Sequence, residues 1–188
     1  IFGHQPEKIK ITLYGSFKET YKGHGTDIAL IGGLLGYNTS DKRIRTSLED
    51  AKEAGIDFEF IESEVEHIHP NTAKLEVEAG RHSLDLIGKS IGGGKMVIFE
   101  LLGFDVNLSG DFPSYFVFYK FSEKNKTHLL SEINNIFGDN KVSDNFSDSI
   151  LEGVNLLVVE VLEEISTKQI ERIANLEYVN EVKFADKL

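Results

Sequence analysis

Hydrophobic and polar residues alternate from Lys8 to Tyr14, with Ile9, Ile11 and Leu13 set between Lys and Thr. A period of two puts those three side chains on one face of a half-buried strand, and Gly15-Ser16 ends it. After a Gly-rich stretch the period lengthens. Ile28, Ile31 and Leu35 fall at helical spacing, as do Leu30 and Leu34, and Gly36 follows as a stop. That helix is apolar nearly all round, which predicts burial. Gly32-Gly33 in its middle cost about 1 kcal/mol each against Ala and predict close backbone packing. A more polar, outward-lying helix is expected over residues 43–54, capped by Ser40 or Asp41 and ended by Gly55. Period-two segments then predict strands over 57–66, 72–77, 83–89, 95–101 and 104–108, with Gly92-Gly93-Gly94 and Gly103 as the clearest breaks.

A polar break at Ser109-Gly110-Asp111, followed by Pro113, opens the second half. Strands are expected over 115–121, 142–150, 154–162 and 178–184. Helices are expected over 124–137, with Leu129, Leu130, Ile133 and Ile136 inward, and over 166–176, capped by Ser166. The order is βαββαβ, the ferredoxin-like arrangement. The fold class is therefore α+β, with domains at 1–109 and 110–188 joined by a short linker over 108–113.

Composition narrows the function. The 188 residues carry 31 acidic and 20 basic side chains, a net charge of −11. The acidity is spread over both halves, and such a surface repels phosphate backbones, so nucleic acid is not an expected partner. No apolar run reaches the ~18 residues that cross a bilayer, so no membrane span is expected. There is no cysteine, which excludes disulfides, thiolate metal sites and cysteine nucleophiles within the chain and fits a reducing cytoplasm. The chain begins at Ile1 without Met and reads as one whose start has been lost.

Three segments stand out as candidate chemistry. Gly23-His24-Gly25-Thr26-Asp27 precedes the apolar helix, with Thr26 as its expected N-cap and Asp27 complementing its dipole. It reads either as a ligand-binding loop at a helix N-terminus or as a plain capped helix with a surface His. In His67-Ile68-His69-Pro70-Asn71-Thr72, a continued strand would put His67 and His69 on one face. The pair could hold a metal, His69 could act as a general acid or base with Asn71 fixing a substrate, or the segment could be a strand end and turn. Ser90-Ile91-Gly92-Gly93-Gly94 is either a hairpin loop or an anion-binding nest. Glu62, Glu64 and Glu66 read as a solvated strand face, and His4, His82 and His128 show no companions in sequence.

Taken in order, Tyr14-Gly15-Ser16-Phe17, Thr20-Tyr21-Lys22-Gly23-His24-Gly25-Thr26-Asp27, Gly32-Gly33-Leu34-Leu35-Gly36, His69-Pro70-Asn71-Thr72 and Ser90-Ile91-Gly92-Gly93-Gly94 resemble the beta chain of the bacterial iron–sulfur-dependent L-serine dehydratases. The resemblance covers about residues 7–108, and the second half resembles the ACT domain that closes the two-chain form. It implies an allosteric-substrate-binding-like domain followed by a ferredoxin-like ACT domain, and loss of water and then ammonia from L-serine to give pyruvate. It implies a [4Fe–4S] cluster ligated by a partner alpha chain and not by this one, and self-association through the ACT domain. His24, Thr26, Asp27, His69 and Asn71 match motifs that face the family's active site. By resemblance, His24 or His69 assists proton transfer or orients substrate, and Thr26 and Asn71 hydrogen-bond the serine. Ser90 and the backbone of Gly92, Gly93 and Gly94 shape the site beside its carboxylate. The family's Gly-Pro-Ser-Ser-Ser-His-Thr segment does not occur, and the loop over 122–127 lacks the glycine of effector-binding ACT domains. Dimer contacts are therefore the expected role of that domain. A different class of function, a purely regulatory amino-acid-binding module, is the alternative expectation.

Overall fold

In the computed structural model, residues 3–65, 69–148 and 153–187 are described. The Glu66 end of the second predicted strand, the His67 half of the imidazole pair, and Ile150 at the end of a later strand lie outside them. The chain divides into two compact units, Phe2–Leu102 and Gly103–Leu188.

The first unit opens with β1 (Lys8–Tyr14), α1 (Ser16–His24) and α2 (Thr26–Leu34). A 3-10 turn (Lys42–Thr46), α3 (Ser47–Glu53), β2 (Asp57–Glu62), β3 (Thr72–Ala79), β4 (His82–Gly92) and β5 (Lys95–Leu101) complete it. The strands run in the order β2-β1-β3-β4-β5. In this unit β1 pairs with β2 in parallel, while β1–β3, β3–β4 and β4–β5 are antiparallel, and a parallel pair needs a long crossover, which the three helices supply. Ile9, Ile11 and Leu13 are fully buried, as the alternation predicts. Their partners across the antiparallel β1–β3 ladder are Val77, Leu75 and Ala73, which share the same face. Each fully buried Ile or Leu contributes about 1.5–3 kcal/mol.

Four expectations for this unit are corrected. The Gly-rich stretch after β1 is a helix, because the run Ser16–Lys22 contains no glycine or proline and Phe17 and Tyr21 fall four apart on one face. Thr26 is not the N-cap of α2. Gly25 is, with φ +70° and no side-chain cap, and it ends α1 at the same time. Nor is α2 buried all round: Ile31 and Gly32 are buried, Ile28, Leu30 and Leu34 are half-buried, and Ala29 and Gly33 are exposed. The covered flank is close-packed as the glycine pair implies, for a Cβ on Gly32 would lie 3.3 Å from Ile44 Cγ1, whereas one on Gly33 would meet nothing. Asp41 caps the next element, accepting from the Arg43 N–H, but that element begins as the 3-10 turn and becomes helical only at Ser47.

The second unit contains β6 (Phe104–Leu108), β7 (Ser114–Lys120), α4 (Glu123–Phe137), β8 (Lys141–Ser147), β9 (Val154–Val161), α5 (Thr167–Ala174) and β10 (Val179–Ala185). Strands β7 to β10 form an antiparallel sheet in the order β10-β7-β9-β8. Tyr115, Val117 and Tyr119 of β7, Leu157, Val159 and Val161 of β9, Leu129 and Ile133 of α4, and Ile173 of α5 form one buried core. Ser166 and Gln169 make a reciprocal capping box at the start of α5. Burial pushes the Tyr119 hydroxyl up to about 12, with the Asn155 amide beside it pulling the other way.

Candidate functional site

The sharpest local geometry lies at the carboxyl end of β1. Gly15 takes φ +53° and ψ −129°, a conformation that favours glycine, and turns the chain straight into α1. An added Cβ there would lie 2.7 Å from both Cα and the carbonyl oxygen of Pro70. The first turn of α1 is thus pressed against the His69–Asn71 segment, which runs into β3. Helix α1 is held in this pose from β2. The Tyr21 hydroxyl donates to Glu62 Oε1 at 3.2 Å, the Tyr21 ring stacks on Phe60, and Lys18 reaches Glu64 at 3.4 Å. The two glutamates are exposed, as expected, yet they also buttress a helix that the sequence reading did not anticipate.

Every carbonyl from His69 to Asn71 has a separate partner. The His69 carbonyl accepts from Thr72 Oγ1 at 2.7 Å. The Pro70 carbonyl accepts from the Phe17 N–H at 3.2 Å, and the Asn71 carbonyl from the Ser90 N–H at 2.9 Å. Three elements, β3, α1 and β4, therefore fix one three-residue segment. Within it the Asn71 N–H donates to His69 Nδ1 at 3.2 Å. Thr72 is fully buried, so its hydroxyl is committed to this role. His69, Asn71 and Ser90 are brought together here.

His24, Thr26 and Asp27 are not part of that cluster. His24 is the last residue of α1, an exposed side chain about 12 Å along the helix axis from Ser16 at 1.5 Å per residue. Asp27 Oδ1 accepts from the Ile28 N–H at 2.9 Å within the first turn of α2. Gly92, Gly93 and Gly94 have φ of +86°, +63° and +75°. Gly92 pairs with Lys95, leaving Gly93-Gly94 as a two-residue hairpin turn between β4 and β5.

Two histidines without sequence companions acquire one in the fold of this unit. His4 stacks on His82 with ring centroids 3.9 Å apart, a pairing that has no local sequence signal. In the second unit the ring of His128 hydrogen-bonds the Tyr178 hydroxyl at 2.7 Å. A cavity of about 620 Å³ lies beside His4, Pro6, Leu34, Tyr37 and Asp50 and contains none of the predicted site residues. Its volume suits a small molecule, and two polar groups on its wall engage one another: the Tyr37 hydroxyl donates to Asp50 at 3.0 Å.

Among the described residues no three His, Asp or Glu side chains gather to hold a metal. With no cysteine in the sequence, the chain lacks the thiolate donor set of a [4Fe–4S] cluster, and no reaction step is assigned to a cluster bound here.

The model of the "Serine dehydratase beta chain" family matches residues 3–100, just over half of the 188-residue chain and all of the predicted site. The "Probable L-serine dehydratase, beta chain" of Bacillus subtilis (strain 168) is 51% identical over 117 residues, 62% of this chain and 53% of that protein. The "L-serine dehydratase, beta chain" of Peptoniphilus asaccharolyticus is 37% identical over 121 residues, 63% of this chain and 54% of that protein. The chain spans about half the length of these curated relatives. On the family match, the chain belongs to the serine dehydratase beta chain family.

Proposed function

We propose that the chain is the beta subunit of an L-serine dehydratase, converting L-serine to pyruvate and ammonia together with an alpha chain that carries the [4Fe–4S] cluster. When bound in the partner, the cluster supplies a Lewis acid for the departing hydroxyl. The observation that carries the reading is the three-residue segment at the carboxyl end of β1. Its backbone is committed at three successive carbonyls, and a loop segment held this rigidly is a suitable place for binding groups. Family membership supports the reaction, and the local geometry supports the roles proposed here. His69 and Asn71 meet the serine, the Asn71 amide donating to its carboxylate and the His69 imidazole to an oxygen of the substrate. Ser90, one strand away, bounds the same site, and the Gly92–Gly94 turn closes that end of the β4–β5 hairpin. His24, Thr26 and Asp27, a helix length off, form a second group whose contribution is smaller.

The second unit is read as a ferredoxin-like ACT domain, supported by its βαββαβ order and the strand order β10-β7-β9-β8. Its proposed role is self-association. The test is co-expression with the alpha chain under anaerobic conditions, followed by iron and pyruvate assays. His69→Ala and Asn71→Ala should assemble normally and lose turnover. Wild-type turnover in both would overturn the site. Tight, saturable L-serine binding by this chain without the alpha chain, with no turnover on reconstitution, would favour a purely regulatory module instead.

A further inference from the structure

The Gly15–Pro70 contact is tighter than packing alone requires. A Cβ at Gly15 would meet backbone, not the yielding end of a side chain, at 2.7 Å from two Pro70 atoms. With φ +53° the position is also strained for any L side chain. Phe17, two residues on, donates its N–H to the same Pro70 carbonyl. Proline has no N–H of its own, so residue 70 is held through that carbonyl alone. On either side of it, Thr72 holds the His69 carbonyl and Ser90 holds the Asn71 carbonyl. The result reaches the imidazole. Because the Asn71 N–H donates to His69 Nδ1, that nitrogen is an acceptor, and in the neutral ring the proton must sit on Nε2.

We infer that Gly15 is a positioning residue: by letting α1 close on Pro70, it fixes the His69–Asn71 segment and presents the His69 imidazole as an Nε2–H donor. This rests on the reading that His69 meets the substrate. It makes His69 a hydrogen-bond donor to a substrate oxygen, and it removes the imidazole from the task of accepting the Cα proton. Gly15 itself touches no substrate and acts only through the segment.

The experiment uses the 188-residue chain labelled with ¹⁵N. Long-range proton–nitrogen correlation spectra, recorded at a pH where imidazoles are neutral, report the tautomer of each ring, and His69→Ala assigns the His69 signals. Wild-type His69 should populate the Nε2–H tautomer alone. Gly15→Ala, folded by circular dichroism, should give the mixed tautomers of an unrestrained ring. Gly33→Ala, at an open helical position, should leave the signals unmoved. If Gly15→Ala does not fold, Thr72→Val, which frees the His69 carbonyl while keeping the buried shape, must move the same signals. A mixed or Nδ1–H tautomer in the wild type overturns the inference. So does an unchanged His69 in folded Gly15→Ala, or in Thr72→Val where Gly15→Ala is unfolded. In the reconstituted enzyme Gly15→Ala should lower kcat about 100-fold, the scale of an ångström-level misplacement. Full activity in His69→Ala would defeat the functional reading while leaving the tautomer result intact, so the two failures are told apart.

Discussion

The two units use their buried residues differently. In the second, two helices close over one side of a four-stranded sheet, and Tyr115, Val117, Leu157 and Val159 sit in a sealed core with Leu129 and Ile133. In the first, burial concentrates on the β1–β3 ladder, helix α2 is covered on one flank only, and the tightest contacts hold a turn. A packed core tolerates small rearrangements at a modest cost per group. A segment whose three carbonyls each have one assigned donor does not, because each lost donor frees one point of a conformation fixed at all three. The first unit thus concentrates its precision in a loop, and loops on rigid frames are where chemistry is placed.

That contrast can be tested, starting with the largest effect. His69→Ala in the reconstituted enzyme is expected to cut pyruvate formation by about 10²–10³-fold, the scale of losing one positioned hydrogen-bond donor, with the melting temperature held, and His24→Ala by less; equal losses would merge the two groups into one site. Leu157→Ala removes a fully buried side chain from the sealed core and should cost about 2–5 kcal/mol in denaturant unfolding, with no change in the His69 tautomer. Gly32→Ala and Gly33→Ala separate the two flanks of α2. The first pushes a methyl against Ile44 and should destabilise by about 1–3 kcal/mol. The second enters open space and should stabilise by about 0.5–1 kcal/mol. The last prediction concerns pH. The folded Tyr119 hydroxyl is raised to about 12 from an ordinary 10, so its contribution is complete below pH 10 and fades as the pH climbs toward 12. Alkaline unfolding followed by tyrosinate absorbance should show a Phe substitution at Tyr119 flattening that fall.

Most of the fold was legible because its signals are local. β1, β5 and β6 match the alternation residue for residue, and Gly36, Gly55 and Gly138 end their helices with positive φ. Helix α1 escaped notice because glycines bracket it, and Phe17 and Tyr21 alone mark its inner face. The polar surroundings of Thr26 suggested a side-chain cap, but a left-handed Gly25 serves both helices at once. Of the site, the His69-Pro70-Asn71 motif was visible, whereas its fasteners were not: they come from Phe17 and Ser90, distant in sequence and ordinary in type. The His4–His82 stack was invisible for the same reason.

The one-sided cover of α2 also bears on engineering. Its exposed residues are the small Ala29 and Gly33, and a Cβ built on Gly33 meets nothing within 4 Å. A label or a solubilising charge introduced at residue 33 would therefore project into open space and leave the packed flank at Gly32 undisturbed.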